Sequence, residues 1–405
     1  MFIKKLLLLA VAFFIFACVS DPPVIIEEDV WIMPNNGTFE ELRQEIRAVY
    51  EYYKNTFLKT TPSGNRYIQA GGTFGTGTTF VTQSEAHGYG MIIFALATWD
   101  PEAREIFDGM NQARKANPST ANPDLMSWVI CESSVNLTSN VPADARGSSA
   151  TDGDMDMAYA LLLAHKRWGG DYKTQAIRII NAIKEDNFHP NIYRTKLGDW
   201  HNRWGNNPNN STRSSDWMPA HFRAFHRATN DDFWLRAIDT VYSLLYQIAD
   251  PRTGLVPCFL RGAGAALIPD STCGGAFGEP DNCVNYSANA CRVPWRIGAD
   301  WIHNKEPRAR DYINKLSNWL RTATGGSPNS IRDGYQLDGT PIRPTSRAGM
   351  HFVAPFAVGM VANRANQSFL NATWSLMATG RGNSYGMAIQ LLSMLLITEI
   401  WEAPN

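Results

Sequence analysis

Apolar residues recur every three to four positions through most of the chain, and this spacing predicts α-helices with an apolar face. In the segment 153–168, for example, Met157, Leu161, Ala164 and Trp168 fall on one face of such a helix. We predict twelve helices from this pattern, at 38–58, 84–98, 101–116, 153–168, 171–186, 216–228, 231–249, 290–303, 307–324, 351–363, 366–377 and 384–401. The hydrophobic pattern therefore indicates an all-α protein.

Short connections join several of the predicted helices. The links 99–101, 169–171 and 304–306 hold three residues each, and links of this length are typical of antiparallel helical hairpins. Six such hairpins can close into an (α/α)6 barrel, which is the fold we expect. No second hydrophobic domain follows residue 37, so we expect residues 38–405 to form one domain.

Five longer stretches interrupt the helical pattern, at 59–83, 117–151, 187–215, 250–289 and 325–350. They contain most of the Gly, Asn and Pro residues. Loops of this length in a compact domain usually have a function, and we expect the same of these.

The composition narrows the class of function. The 37 basic and 38 acidic residues nearly balance, so the chain lacks the positive charge that nucleic-acid binding requires. The 13 Trp and 14 Tyr residues exceed what a helical core requires. Flat aromatic rings are surfaces on which sugars stack, so this excess suggests a carbohydrate ligand.

The N-terminus has the pattern of an export signal. A basic start precedes an apolar run, 6–17, that is too short to span a membrane as a mature helix. Cys18 follows in a context that resembles a bacterial lipobox, so we predict a signal peptide at 1–17, lipidation of Cys18 and a tether at 18–37. The protein would be an exported cell-envelope lipoprotein that meets the membrane only through its anchor. The alternative is an ordinary signal and a secreted or periplasmic protein.

Five cysteines remain after such a cleavage, so at least one of them has no disulfide partner. Cys273 and Cys283 bracket a Gly-rich loop, and a local disulfide between them suits an oxidising compartment. No Cys or His grouping has the spacing of a zinc site. We therefore expect neither a structural metal nor a cofactor.

Asp152, Asp154 and Asp156 crowd the start of the fourth predicted helix. Free backbone N–H groups and the helix dipole favour negative charge at such a position, and Ser149 or Thr151 can cap the helix. These acids therefore have a structural interpretation as helix-start residues, besides any functional one.

The functional interpretation comes from a resemblance. The run Ala-Thr-Asp-Gly-Asp at 150–154, followed by Met-Ala, Ala-Leu-Leu and Ala-x-x-x-Trp, resembles the signature of glycoside hydrolase family 8, the inverting β-glycanases. The resemblance implies an (α/α)6 barrel and places Asp152 at the centre of a sugar cleft. It leaves Asp154 and Asp156 as helix-start residues.

A second motif implies the general acid of this chemistry. The stretch 84–91, Ser-Glu-Ala-His-Gly-Tyr-Gly-Met, resembles the family's Ser-Glu-Gly-x-x-Tyr-Gly-Met motif, in which the Glu is the acid, here Glu85. We expect Ser84 to cap the helix, which puts Glu85 in the first turn, where the dipole lowers a carboxyl pKa. Burial and the charge of Asp152 must then raise the pKa of Glu85 so that it holds a proton.

A third motif departs from the family pattern at the catalytic base. The stretch 289–296 is similar to the family's Asp-Ala-x-Arg-x-Pro-Trp-Arg run, but Asn289 replaces the Asp, and an amide cannot accept a proton from water. A subgroup that includes chitosanases and lichenases also has Asn here and takes a Glu from a preceding loop. This resemblance implies Glu279 as the base. Arg292 is expected to orient a carboxylate or a sugar hydroxyl.

The resemblance also implies sugar contacts. Trp128 and Trp217 lie in stretches similar to the family's Met-x-Trp and Arg-Pro-Ser-Asp-Trp-Met segments, although core packing is an equally good interpretation for Trp217. With Tyr89, Asn289 and Arg292 they form the predicted substrate-binding set.

These observations together predict an exported, monomeric, endo-acting hydrolase of β-1,4-linked glucan, either cellulose-like or mixed-linkage. The pattern of Asn289 and Glu279 also fits a chitosanase. A possibility of another class is a glycan-binding lipoprotein that has lost catalysis, because Asn289 cannot act as a base.

Overall fold

Twelve α-helices make up most of the computed structural model, which describes residues 31–73, 79–132, 137–138, 147–202, 211–262, 266–273 and 282–404. In chain order they are α1 (Phe39–Phe57), α2 (Ser84–Leu96), α3 (Ala103–Ala116), α4 (Thr151–Trp168), α5 (Tyr172–Asp186), α6 (Pro219–Thr229), α7 (Phe233–Ile248), α8 (Val293–Asn304), α9 (Pro307–Thr324), α10 (Met350–Met360), α11 (Gln367–Thr379) and α12 (Ser384–Ile397). Each lies at one of the segments predicted from the hydrophobic pattern, with boundaries that differ by a few residues.

The helices form two concentric rings. The even-numbered helices pack in series, from α2 through α4, α6, α8 and α10 to α12, and α12 packs against α2, which closes an inner ring. Each odd-numbered helix packs on the outside against at least one inner helix. This arrangement is an (α/α)6 barrel, and it confirms the predicted fold.

The two rings differ in the number of faces that their helices bury. Residues 86–96 of α2 and 386–397 of α12 are buried without exception, since an inner helix contacts neighbours on every side. In the outer helix α9, buried residues recur at three- and four-residue intervals. They are Ala309, Tyr312, Ile313, Leu316, Ser317, Leu320 and Thr324. The ordinary amphipathic pattern therefore belongs to the outer ring.

Short β-strands occupy the longer connections between helices. They are β1 (Leu58–Thr60), β2 (Arg66–Ile68), β3 (Gly72–Thr73), β4 (Thr79–Phe80), β5 (Thr82–Gln83), β6 (Val129–Glu132), β7 (Leu137–Thr138), β8 (Phe188–His189), β9 (Arg194–Thr195), β10 (Ser211–Arg213), β11 (Phe259–Arg261) and β12 (Ile268–Pro269). Two antiparallel three-stranded sheets, β5-β6-β7 and β10-β11-β12, lie beside the starts of inner helices. They bring Trp128, which precedes β6, and Arg213, which ends β10, towards the same end of the barrel.

The expected side-chain caps of α2 and α4 are absent, and the structure corrects these predictions. The N-cap residues are Gln83 and Ala150, and neither makes a side-chain cap hydrogen bond. The hydroxyls of Thr151 and Ser149 instead donate to neighbouring segments, at 2.7 and 3.3 Å, and Ser84 is buried. The start of α4 lies inside tertiary contacts, so its hydroxyl groups have partners other than the helix, whereas the buried hydroxyl of Ser84 makes no hydrogen bond within the described residues.

The predicted signal peptide, Cys18 and the first part of the tether lie outside the described residues. The last part of the predicted tether, 31–37, is not a free linker, because the backbone N–H of Ile32 donates to the carbonyl of Val361 at 2.8 Å. The chain from Trp31 onward belongs to the structural unit of the barrel. In the described part of the chain, no helix is long and apolar enough to cross a membrane.

Cys273 and Cys283 form a disulfide, with their Cα atoms 5.5 Å apart, as the Gly-rich loop between them had suggested. Cys131, Cys258 and Cys291 form no disulfide. The bond therefore closes a loop of the chain between β12 and α8, and this loop contains the predicted base.

Two glycines set the distance between α2 and α4. A Cβ atom at Gly153 would lie 2.6 Å from the backbone carbonyl carbon of Ser84, and one at Gly88 would lie 2.7 Å from Cβ of Asp156. Neither position has room for a methyl group, so the two helices approach more closely than side chains would permit. This approach places the first turns of α2 and α4 side by side.

We predict that Gly153→Ala lowers the free energy of unfolding by about 1–3 kcal/mol, the usual effect of overpacking, although alanine is the better helix former. The matched control is Gly382→Ala, because a Cβ there meets no atom within 4 Å. Urea unfolding of both variants measures the difference. Equal stability of the two variants would show that the α2–α4 contact can relax.

Candidate active site

Glu85 and Asp152 meet at one guanidinium group. Arg292 lies in the short helical turn Ala290–Arg292 that leads into α8. Its Nη1 atom donates to Oε1 of Glu85 and to Oδ2 of Asp152, the latter at 2.8 Å. The two carboxyl groups thus lie near the starts of adjacent inner helices, as predicted, and share a single hydrogen-bond donor.

One carboxyl oxygen of Glu85, Oε1, accepts hydrogen bonds inside the barrel, and the other, Oε2, remains available to the cleft. Oε1 accepts from the hydroxyl of Tyr89 at 2.8 Å as well as from Arg292. Within the described residues Oε2 accepts no hydrogen bond, and the side chain is 14% exposed. Burial raises the pKa of Glu85, Arg292 opposes this effect, and the charge of Asp152 adds to it, so that the pKa is raised overall. Glu85 therefore retains a proton at a pH where an exposed glutamate has lost it.

Asp152 has the opposite electrostatic balance. Its Oδ1 forms an ion pair with Nη2 of Arg213 at 2.9 Å and accepts from the backbone N–H of Gly153 at 3.0 Å, while Oδ2 accepts from Arg292. Burial alone would raise the pKa of Asp152, but the charges of Arg213 and then Arg292 outweigh it and hold the pKa at about 2. Asp152 is therefore a permanent anion beside a carboxylic acid.

A cleft of about 190 Å³ opens above these groups. Trp128 forms part of one wall, and its ring is half-buried. The complete lining of this cleft among the described residues is Gln83, Glu85, Trp128, Ser149, Ala150, Asp152, Leu197, Trp200, Arg213, Phe259 and Asn289. An acid, an anion and aromatic rings around one cavity can hold a sugar and protonate its leaving oxygen.

Among the lining residues that the sequence analysis did not predict as site residues are two aromatic residues and an arginine. Trp200 and Phe259 lie in loops without a periodic pattern, and only folding brings them to the cleft. Arg213 is the first residue of the family-like stretch that contains Trp217, and that stretch was the signal that could have identified it. Its guanidinium bridges Asp152 and Asp216, with Nε 2.9 Å from Oδ1 of Asp216.

Three residues of the predicted substrate-binding set are buried inside the barrel. Tyr89 is 0% exposed and packs edge-on against Trp295 at 5.6 Å, so it supports Glu85 from below. Trp217 is 1% exposed and offers no ring face to a sugar. Arg292, also 1% exposed, orients the carboxyl groups of Glu85 and Asp152, which is the first of the two roles expected for it.

Asn289 lines the cleft, and its amide has a defined orientation. Nη2 of Arg292 donates to Oδ1 of Asn289 at 2.9 Å. Because a guanidinium can only donate, the oxygen of the amide must face Arg292, which leaves the amide N–H groups for the cleft. Asn289 can therefore donate to a sugar or a water but cannot take a proton. Glu279, the predicted base, lies outside the described residues.

A second charged layer lies below Glu85. Asp156 accepts two hydrogen bonds from Arg296, at 2.7 and 2.6 Å, and one from His221 at 2.9 Å. The guanidinium of Arg296 lies 5.6 Å from the ring centre of Tyr89. Asp156 is thus a buried ion-pair partner rather than a helix-start residue. Within the described residues no group of three His, Cys, Asp or Glu side chains could hold a metal ion.

Comparison with known proteins agrees with this geometry. Residues 42–399 match the family described as "Glycosyl hydrolases family 8". A beta-glucanase of Niallia circulans is 36% identical over 382 residues, which cover 91% of this chain and 88% of that protein. An endoglucanase of Bacillus sp. (strain KSM-330) is 34% identical over 387 residues, 92% of this chain and 80% of that protein.

Solved structures show the same fold. The apo structure of a beta-1,3-1,4-glucanase from Paenibacillus sp. X4 superimposes with a TM-score of 0.83 at 35% identity, covering 92% of this chain and 96% of that one. A reducing-end-xylose releasing exo-oligoxylanase superimposes with a TM-score of 0.69 at 19% identity, covering 91% of this chain and 96% of that one. The second likeness concerns the fold alone.

We predict that Asp152→Asn lowers the pKa of Glu85, because it removes a charge that raises this pKa and leaves Arg292 in place. A general acid must be protonated, so the alkaline limb of the pH profile of kcat/KM should move to lower pH. Carboxyl ¹³C NMR titration measures the pKa of Glu85 directly. Asp239→Asn, which changes an exposed acid on α7, is the control. An unchanged or raised pKa of Glu85 in Asp152→Asn would contradict the electrostatic account.

Proposed function

The chain belongs to glycosyl hydrolase family 8 and is a glycoside hydrolase, and we propose that it cuts β-1,4 links within cellulose-like or mixed-linkage β-glucan chains, with inversion. The observation that carries this proposal is the pair formed by Glu85 and Asp152, in which a protonated carboxyl and an ionised one share Arg292 beneath an aromatic-walled cleft. The relatives named as beta-glucanase and endoglucanase support the choice of glucan.

Glu85 is the general acid in this proposal. Its Oε2 atom faces the cleft and delivers a proton to the glycosidic oxygen as the bond to the anomeric carbon breaks. The proton transfer leaves a carboxylate next to Arg292, whose charge stabilises it. Arg292 thus lowers the pKa of Glu85 before the reaction, and it stabilises the carboxylate that the proton transfer produces.

Asp152 stabilises the sugar at the point of cleavage. The transition state of glycoside hydrolysis has positive charge at the anomeric carbon, and an aspartate with a pKa of about 2 stays negative throughout the working pH range. Arg213 and Arg292 fix both of its oxygens, so the charge does not move during the reaction. A fixed anion costs little reorganisation when charge develops.

Glu279 is the base in this proposal, on the strength of the subgroup pattern. An inverting enzyme places a carboxylate that holds the attacking water roughly 6.5–9.5 Å from the acid, and Asn289 cannot fill this role. The loop that contains Glu279 is closed by the disulfide to Cys283, whose carbonyl accepts from the backbone N–H of Phe259 at 3.0 Å. Because Phe259 lines the cleft, this loop ends next to it.

The charges of the described cleft favour a neutral substrate. Among its described lining residues, Asp152 is the anion, and both its oxygens are bonded to guanidinium groups. Within this described lining, the ammonium groups of chitosan would approach Arg213 without an unpaired carboxylate to receive them. Glucan is therefore the proposed substrate, and the chitosanase alternative rests on the subgroup pattern of Asn289 and Glu279.

We also propose that the enzyme is exported and anchored through Cys18. The support is the basic start, the apolar run 6–17 and the lipobox-like context of Cys18. Cell fractionation of the wild type and of Cys18→Ser tests this proposal. Equal solubility of the two would remove the anchor and leave a secreted or periplasmic enzyme.

A reducing-sugar assay on lichenan, carboxymethyl cellulose, xylan and chitosan tests the function. We expect activity on the two glucans and a loss of about 10²–10⁴-fold or more in Glu85→Gln, the usual scale for a general acid. The variant should still bind glucan, since it removes a proton donor and almost no volume. Activity on chitosan alone would replace glucanase by chitosanase. Inactivity on all four polymers, with binding retained, would indicate a glycan-binding protein.

Glu279→Gln should lose activity on the same scale, and Asn289→Ala should lose less, because only a carboxylate can take the proton of the attacking water. Added azide distinguishes variants of the proposed base from variants of the proposed acid. It should rescue Glu279→Ala and give an inverted glycosyl azide, and it should not rescue Glu85→Ala in this way. Full activity of Glu279→Gln would transfer the role of base to Asp270 or Asp281.

A further inference from the structure

A cluster of buried polar side chains lies beneath the walls of the cleft, apart from Glu85 and Asp152. Its two acids are Asp154 in the first turn of α4, which is 0% exposed, and Asp199, which is 4% exposed. The sequence had suggested a helix-start role for Asp154, in which the charge would face the free N–H groups of α4. The structure instead directs this side chain to other segments of the chain.

Asp154 connects α4 to the loop that carries Trp128. Its Oδ1 atom accepts from the backbone N–H of Met126 at 2.9 Å, two residues before Trp128. Its Oδ2 atom lies 3.4 Å from the amide nitrogen of Asn187, at the end of α5. One side chain thereby holds the Trp128 wall against the helix that carries Asp152.

Asp199 connects the same region to the opposite wall. Its Oδ1 atom accepts from the backbone N–H of Ser149 at 2.8 Å, and its Oδ2 atom accepts from the hydroxyl of Ser119. Ser119 belongs to the loop of Trp128, and Asp199 directly precedes Trp200. The two acids therefore join the three chain segments that form the walls of the cleft around Asp152.

We propose that Asp154 is a positioning residue for the substrate, which together with Asp199 holds Trp128 and Trp200 at the separation that binds a glucan chain, and that it does so as the neutral acid. This proposal rests on the proposed glucanase function. Asp154 touches no substrate and acts through the two tryptophans, which line the cleft.

The charges around Asp154 agree with a neutral form. Burial raises its pKa, the hydrogen bond from Met126 opposes this effect, and the charge of Asp199 adds to it, which gives a pKa of about 8. The other charged groups that face this cluster are Arg114 of α3, whose charge favours the ionised form without outweighing burial, and Lys196 near Asp199, whose pKa burial lowers to about 8. At neutral pH Asp154 therefore adds no negative charge beside Asp199.

The sign of the pH dependence follows from the raised pKa. An unfolded aspartate titrates near 3.9, so the folded protein holds a proton on Asp154 that the unfolded chain releases. The stabilisation from this proton is full below about pH 4 and is lost as the pH rises to about 8. Above that pH, two adjacent anions repel each other beneath the cleft, and the walls should separate.

Binding of cellopentaose to proteins in a Glu85→Gln background tests the proposal, because this background removes the titration of Glu85. Calorimetry gives Kd at about pH 6 and about pH 9, on either side of the expected transition. Asp154→Asn still accepts from Met126 through its oxygen, and its N–H can donate to the hydroxyl of Ser149, which contacts Asp154. It should keep the Kd of the background at pH 6 and weaken less than the background at pH 9, because the titrations of Lys196 and Asp216 are common to both proteins.

Asp154→Ala leaves the N–H of Met126 without its acceptor and should weaken Kd about 10-fold at both pH values. The matched control is Asp100→Asn, which changes another buried acid, at the opposite end of α2, that accepts from Tyr50. It should lower stability and leave Kd unchanged.

Three outcomes would overturn the proposal. The first is an unchanged Kd in Asp154→Ala. The second is equal weakening at pH 9 in Asp154→Asn and its background, which remains decisive if Asp154→Ala fails to fold. The third is absence of cellopentaose binding by the background itself, which would overturn the glucanase function as well and so differs from the first two.

Discussion

Arg292 donates from one nitrogen atom to Glu85 and Asp152, and at 1% exposure its charge must be balanced inside the protein. Asp152 supplies that balance because Arg213 holds its second oxygen and keeps it ionised. Removing one partner of such a buried pair usually costs about 3–5 kcal/mol. Glu85 is then the acid that takes up the proton, and the division of roles between the two carboxyl groups follows from their surroundings.

The barrel supplies the distances that this division requires. Gly88 and Gly153 permit the close approach of α2 and α4, which brings the two acids to a single guanidinium. One layer below, the ion pair of Asp156 and Arg296 lies against Tyr89, whose hydroxyl donates to Glu85. Function therefore depends on buried polar contacts that the all-round burial of the inner helices makes possible.

Helical periodicity and family-like motifs were enough to predict the twelve helices, the barrel and the meeting of Glu85 with Asp152. They could not predict burial, so Tyr89 was expected at the cleft and Trp217 was left between cleft and core, although both pack inside the barrel. The cap of α4 was wrong because tertiary contacts take up the hydroxyl groups of Ser149 and Thr151, and the cap of α2 was wrong because the helix begins one residue after Gln83 and buries the hydroxyl of Ser84. Trp200 was missed because its place depends on how a loop without periodicity folds back over α4.

A neutron structure of the protein at mildly acidic pH would test the central claim most directly, since it shows the hydrogen atoms on both carboxyl groups. The account predicts a deuteron on Oε2 of Glu85, directed into the cleft, and none on Asp152, with Arg292 fully protonated between them. An unprotonated Glu85, or a deuteron on Asp152, would contradict it, because the general acid would then lack its proton before the substrate arrives.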